Sequence, residues 1–257
     1  MDAVAAKKPV AINRWLPYWA VFQADVGHTL QSWVYRVWVL ASLLAMTGYL
    51  LYRVGPVREF GVLHPASLFM SDLLKWTVLV SVTFVVILTT GSISGERGTM
   101  ADSVLSRGIS RHQYFMGKWH ARLVAVLGTF FLLGVVALVS SLIFLHEDLS
   151  LTGSLMAMAT VAAMLAVVCT AGVTVSAMVH STMLGMAVLW ILLYGLGFAM
   201  TQLPPSFPTP YRTLDKLPYI LKGQYDAQLL TNLMGYCAAC CVGTAIIGLF
   251  YFSRRDV

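Results

Sequence analysis

Residues Leu123 to Leu145 read LVAVLGTFFLLGVVALVSSLIFL, an unbroken run without Lys, Arg, Asp or Glu. Roughly 20 residues rising 1.5 Å each cross the hydrocarbon core of a bilayer, so an uncharged run of this length marks a transmembrane helix. Five more runs share its character: Trp33–Tyr52, Trp76–Ile93, Leu155–Val179, Met183–Leu203 and Leu229–Phe252. None carries an ionisable residue in its central stretch. Arg36, near the start of the first, has a stem long enough to snorkel to the interface. Only His180, Ser181 and Thr182 separate the fourth and fifth runs, which predicts a tight hairpin.

Composition agrees. Hydrophobic residues make up 58% of the 257-residue chain and charged residues 11%. Ordinary soluble proteins carry about 25% charged residues, so this chain has too little polar surface for a soluble globule. The fold expected is all-α: one polytopic membrane domain over residues 1–257 with six spans. Ionisable side chains inside a bilayer usually mark ion or proton pathways. Their absence from the span centres argues against an ion-driven carrier.

Six crossings put both termini on one side. That side collects Lys7, Lys8, Arg14, Arg36, Arg97, Arg107, Arg111, Lys118, Arg122, Arg254 and Arg255, against acidic Asp2, Asp25, Glu96, Asp102 and Asp256. The opposite side balances its charges. The positive-inside rule therefore predicts cytoplasmic termini. The net charge of +6 reads as topological charge and not as a nucleic-acid footprint, because the basic residues are spread around the spans. The N-terminal segment lacks the compact apolar stretch and cleavage site of a signal peptide.

Ahead of the first span, Trp19, Phe22, Val26, Leu30 and Trp33 recur every three or four residues. Gln23, Asp25, His28 and Gln31 fall mostly on the other face. The pattern predicts an amphipathic helix lying in the cytoplasmic interface; the alternative is a soluble helix packed on the bundle. Before the sixth span, Pro204, Pro205, Pro208 and Pro210 prevent a helix from starting early. The mixed stretch Tyr211–Lys222 is read either as a short extracytoplasmic helical segment or as a solvated loop.

Catalytic motifs are scarce. His146-Glu147-Asp148 lacks the second His of a zincin. Gly91–Gly95 carries Ile93 where a serine-hydrolase elbow needs Ser. There is no P-loop or Rossmann glycine pattern. No catalytic residue and no metal ligand is therefore assigned, and the chain is read as a non-enzyme. Cys237, Cys240 and Cys241 lie within the last span together with small residues Gly235, Ala239 and Gly243. Thiolates suit soft metals, yet Cys is also an ordinary packing residue. The ladder Gly235/Ala239/Gly243 predicts close helix packing, as does Ala162/Ala166/Thr170/Thr174 in the fourth span. Either ladder suits a subunit interface equally well.

The distinctive polar element runs from Ser94 to Lys118. Thr99 can cap a short helix with Asp102 at its favourable end and an apolar edge of Met100, Val104 and Leu105. Arg107-Gly108 ends it, and Ser110 caps a second helix, Arg111–Trp119, leading into the third span. Two short helices at a bend suit a docking element.

Glu96-Arg-Gly-Thr99, Leu105, Ile109-Ser-Arg111 and Gly117-Lys118 resemble the loop of type 2 ATP-binding-cassette exporter permeases, as does the ending Ser253-Arg-Arg-Asp-Val257. The usual loop string is close to G-E-R-E-x-G-T-L-x-x-L-L-S-x-P-I-S-R, followed by G-K. This chain lacks the second acidic residue and carries Gly108 where Pro is usual. The small single-domain permeases that accompany nitrous-oxide reductase maturation look nearest. The resemblance implies a permease subunit that pairs with a second copy of itself or a homologous permease. It also implies a separate cytoplasmic ATPase subunit that binds ATP and Mg²⁺, while this chain holds no cofactor. Glu96, Arg97, Thr99, Leu105, Arg107, Ile109, Arg111 and Lys118 would then form coupling helices that dock in the ATPase. Charged Glu96, Arg97, Arg107 and Arg111 would make cross-subunit salt bridges, with Leu105 and Ile109 as apolar anchors. A non-transporting membrane anchor for a partner ATPase is the alternative.

Overall fold

The computed structural model describes residues 15–60, 65–95, 109–145, 148–204, 207 and 209–254. Among these, helices α1 (Leu16–Gln31), α2 (Trp33–Phe60), α3 (Ala66–Ser94), α4 (Arg111–Phe144), α5 (Leu151–Met178), α6 (Thr182–Thr201), α7 (Pro210–Asp215), α8 (Leu217–Leu221) and α9 (Ala227–Arg254) follow in order. Six of them, α2 to α6 and α9, are long and apolar enough to cross a membrane. The all-α, six-span architecture expected from the sequence is present, and the hairpin between α5 and α6 turns within three residues.

The long helices overrun the apolar runs that announced them. Helix α4 has 34 residues, which gives about 51 Å of length against a hydrocarbon core of about 30 Å. The expected separate helix Arg111–Trp119 is its first part, continuous with the span. Ser110 starts it through a capping box: its hydroxyl accepts from the Gln113 amide at 3.3 Å, and the Gln113 side chain accepts from the Ser110 amide at 3.2 Å. The helix runs unbroken through Arg111–Leu123, and its polar residues find partners on α1, α3, α5 and α9. Helix α3 likewise starts at Ala66, ten residues before the apolar run, and so includes Asp72 and Lys75.

Helix α5 is the centre. It buries 67% of its most apolar window, against 11% for α2 and for α6. The main core gathers Met70, Leu74, Phe130, Met158, Val161 and Leu165. Leu217, Ile220 and Leu221 of α8 insert into the same core, so the segment before the last span is helical and packed, not a solvated loop. Arg212 donates to the carbonyls of Leu203 (3.0 Å) and Pro204 (2.8 Å), which ties the chain just past α6 to α7.

Outward-facing apolar side chains are plentiful: Met183 is 79% exposed and Ile191 and Phe198 each 71%. A water-facing surface of this kind would be a large liability; against lipid it costs nothing. The helices contact bilayer hydrocarbon.

At the end of the bundle opposite the chain termini, Pro65 offers α3 no capping side chain. Asp148 supplies the cap from the α4–α5 connection. One of its oxygens accepts the Ser67 amide at 2.8 Å, the other the Ser67 hydroxyl at 2.6 Å, and Lys222 approaches to 3.4 Å. Burial alone would raise the Asp148 pKa, but the Ser67 hydrogen bonds and the Lys222 ammonium hold it below the ordinary value.

Candidate functional site

The segment singled out by sequence leaves α3 after Ser94 and enters α4 at Arg111; Gly95, Ile109 and Ser110 are its described ends. Glu96, Arg97, Thr99, Leu105 and Arg107 lie outside the described residues, as does the helix expected near Met100. The two flanks are described, and both are tied firmly to the bundle.

On the leaving side, the Ser176 hydroxyl of α5 accepts from the amides of Ile93 (2.9 Å) and Ser94 (3.0 Å). The Ser94 hydroxyl lies 3.1 Å from Thr182 at the start of α6. On the returning side, Ile109 packs against a cluster of Val21, Ile93, Tyr114, Phe115, Val173, Ala177 and Phe252. Arg111 donates from Nη1 to the Ser253 carbonyl at 3.3 Å, joining the start of α4 to the end of α9. Trp119 Nε1 donates to Thr170 Oγ1 at 3.0 Å, and Thr174 Oγ1 donates to the Thr244 carbonyl at 3.0 Å. The segment therefore rests on α1, α5, α6 and α9.

Gly117 and Lys118 are closely packed against α1. A Cβ at Gly117 would stand 2.9 Å from Val21 Cγ1 and 3.3 Å from the Tyr18 carbonyl oxygen. Glycine lets α1 lie directly on α4 at this point. Lys118 is 3% exposed; its Nζ donates to Asp25 Oδ1 at 3.0 Å and to the Ser92 carbonyl at 2.9 Å. One turn on, Arg122 Nη2 donates to Asp25 Oδ1 at 3.3 Å, and its Nε stands 3.1 Å from Oδ2, off the hydrogen-bond direction. Asp25 is 4% exposed and Arg122 5%. Above the triad, the Tyr18 hydroxyl meets His120 Nδ1 at 2.9 Å, and burial pushes the Tyr18 phenol up from its ordinary value.

This corrects the reading of α1. The helix exists, and Trp19 and Leu30 of the apolar stripe do face outward, 54% and 43% exposed. Asp25, however, is not on a wetted polar face. Val21, Asp25 and Thr29 form the buried stripe against α4, because a carboxylate placed between Lys118 and Arg122 is better served there than in water-facing isolation. Lys118 accordingly spends its charge inside the bundle, whereas Arg111 lies at its edge. The missed signal was Lys118 and Arg122 at i and i+4, opposite an acid also repeating at four with Val21 and Thr29.

The two small-residue ladders separate. Ala162, Thr170 and Thr174 are buried within the chain, and a Cβ at Gly248, five residues past the second ladder, would stand 2.9 Å from both Phe115 and Thr174. Gly235, Ala239 and Gly243 face outward, and a Cβ on either glycine would meet nothing within 4 Å. Cys237 packs with Met164 and Leu233. Among the described residues no three His, Cys, Asp or Glu side chains come together in a metal-binding group.

A scan against protein-family models finds no match to this chain, and a search of curated proteins finds none either.

Proposed function

We propose that this chain is the membrane-spanning permease subunit of an ATP-binding-cassette transporter working as an exporter, driven by a separate cytoplasmic ATPase that docks on the segment Gly95–Lys118. The observation that carries this reading is the anchoring of that segment. Its flanks bond to α1 through Lys118, to α5 through Ser176, to α6 through Thr182 and to α9 through Arg111. A load applied to the segment is therefore shared by most of the bundle at once. The span centres, in contrast, hold no ionisable group able to couple to a proton or cation gradient. Power supplied from outside, through the segment between α3 and α4, fits both facts.

In this reading Glu96, Arg97, Arg107 and Arg111 meet charges of the ATPase, and Thr99, Leu105 and Ile109 shape and anchor the contact. Closure of the ATPase on ATP and Mg²⁺ pulls the segment, and the α3–α5 and α4–α9 ties carry the movement into the spans. By linkage, nucleotide binding and opening of the pathway bias each other equally. A second permease copy would complete the pathway, and the outward ladder Gly235/Ala239/Gly243 offers a close-packing face for it. Cytoplasmic termini in an inner membrane complete the reading.

The test is co-reconstitution with the ATPase. Glu96→Ala and Arg111→Glu are expected to uncouple ATP hydrolysis from transport while the spans stay folded. Unchanged coupling in both variants contradicts the docking role. Solute uptake driven by an ion gradient, with this chain alone in the vesicle, contradicts the whole reading.

A further inference from the structure

A groove of about 200 Å³ runs between α2, α3 and α4. Interiors close-pack and leave few voids larger than a water molecule, so a gap of this size needs an occupant or a cause. The cause lies in small residues at facing positions: Ala41, Ser42 and Ala45 on α2, Gly134 and Ala137 on α4. The floor is Met46, Met70, Leu74 and Phe130, each at most 7% exposed. The lip is open to the outside of the bundle at Ala45, Trp76 and Val80. No Asp, Glu, Lys, Arg or His side chain lines it.

A polar cluster closes one end. Tyr49 lines the groove, and its hydroxyl donates to Asp72 Oδ2 at 2.7 Å while accepting from Arg53 Nε at 3.0 Å and Nη2 at 2.6 Å. Arg53 Nη2 also stands 3.1 Å from Asp72 Oδ2, and the two side chains remain 20% and 35% exposed. This cluster lies near the end of α2 and the start of α3, at the membrane face opposite the Gly95–Lys118 segment. From Ala41 to Tyr49 the groove follows α2 for about 12 Å, close to the depth of one leaflet.

We propose that this groove holds one acyl chain of a zwitterionic phospholipid, with the headgroup resting on the Arg53–Asp72 pair. Three observations select that occupant. The lining is apolar and opens sideways into hydrocarbon, where lipid tails are the ambient molecule. The volume falls below the roughly 300–1,000 Å³ of pockets for compact drug-sized ligands, yet exceeds a 150 Å³ dry cavity that admits a small hydrocarbon; the upper part of a single chain fits, its tail continuing into the bilayer, and a bulky cargo does not. The polar end presents a cation and an anion together, which opposes a purely anionic headgroup and matches a phosphate against Arg53 with an ammonium against Asp72. The bound lipid is a resident of the fold, and the proposal holds whether or not an ATPase drives the chain.

The experiment uses the full chain in phosphatidylethanolamine–phosphatidylglycerol vesicles, with a trace of phosphatidylethanolamine carrying a photoactivatable diazirine on one acyl chain. After irradiation, peptides are mapped by mass spectrometry. Label is expected to concentrate about tenfold on the groove residues Met46, Phe130 and Leu133 over the lipid-facing Ile191 and Phe198, the ratio given by ~1.4 kcal/mol of preference. Ala45→Trp, which fills the lip, removes the excess, and Val80→Trp does so from the other side. The double variant Arg53→Gln/Asp72→Asn abolishes the preference over the same probe built on phosphatidylglycerol. Equal labelling of groove and α6, or an excess that survives both Trp variants, overturns the proposal. So does cross-linking of the groove to a second copy of the chain.

Discussion

Asp25→Ala is the sharpest test of how α1 is held. Asp25 lies between Lys118 and Arg122, with side-chain exposures of 3%, 4% and 6%. Removing the carboxylate leaves two like charges buried side by side. Breaking a buried pair by deleting one partner costs about 3–5 kcal/mol. Lys118 keeps the Ser92 carbonyl as an acceptor, which puts the expected loss near ~3 kcal/mol. The loss falls first on the docking of α1, which packs chiefly against α4 through this triad. Hydrogen exchange of α1 amides reads this directly. Opening that is ~3 kcal/mol easier raises their exchange about a hundredfold, while α5 amides stay unchanged. The triple variant Asp25→Ala/Lys118→Met/Arg122→Leu removes the stranded charges and restores most of the protection. A change of less than about threefold in α1 exchange for Asp25→Ala, or no recovery in the triple variant, refutes the buried-triad account.

Gly117→Ala forces a Cβ within 2.9 Å of Val21 and 3.3 Å of the Tyr18 carbonyl; overpacking of this kind costs about 1–3 kcal/mol, and thermal unfolding in detergent should show partial rescue by Val21→Ala. Asp148 has a folded-state pKa below its unfolded value, so its contribution is fully present above the unfolded pKa of about 3.9 and fades as pH falls through the lower folded value. Melting curves between pH 2 and 6, a window set by that ordinary carboxylate value of roughly 4, should show an acid-side loss in the native chain that Asp148→Asn flattens; parallel profiles contradict the cap. Ser81→Ala strips the acceptor from Trp38 Nε1, bonded at 3.0 Å with Trp38 1% exposed. Intramembrane hydrogen bonds of this type average about 0.6 kcal/mol and reach about 1.7, a loss that denaturant titration can detect together with a shift in Trp emission.

The spans were legible because an uncharged run in Leu123–Leu145 has one physical solution in lipid. Their true lengths were not, since the eye stops a span at the first charge. Lys75 and Arg122 ended runs in the sequence, yet the helices continue past them to include Asp72 and Lys118, and Lys118, Arg122 and Asp72 each find a partner from another helix. Such pairing is non-local: Asp25 and Lys118 are 93 positions apart. The turn at α5–α6 and the Ser110 cap were readable because their chemistry is local. The Asp148 cap on α3 was not, for it reaches across 81 positions. Of the motif residues, Gly117 and Lys118 find their structural partners inside the chain. A repeat of small residues marked close packing correctly on α5, but on α9 the same spacing faces outward, because periodicity specifies a face without naming what meets it.

The claim that an external ATPase grips the segment between α3 and α4 is tested most directly by the affinity of that ATPase for vesicles holding this chain. Substituting Leu105→Asp should weaken binding about thirtyfold, as loss of an anchor worth ~2 kcal/mol at a buried interface requires, with Asp148→Asn at the far face leaving it unchanged. Equal affinity for the native and Leu105→Asp chains would contradict the account.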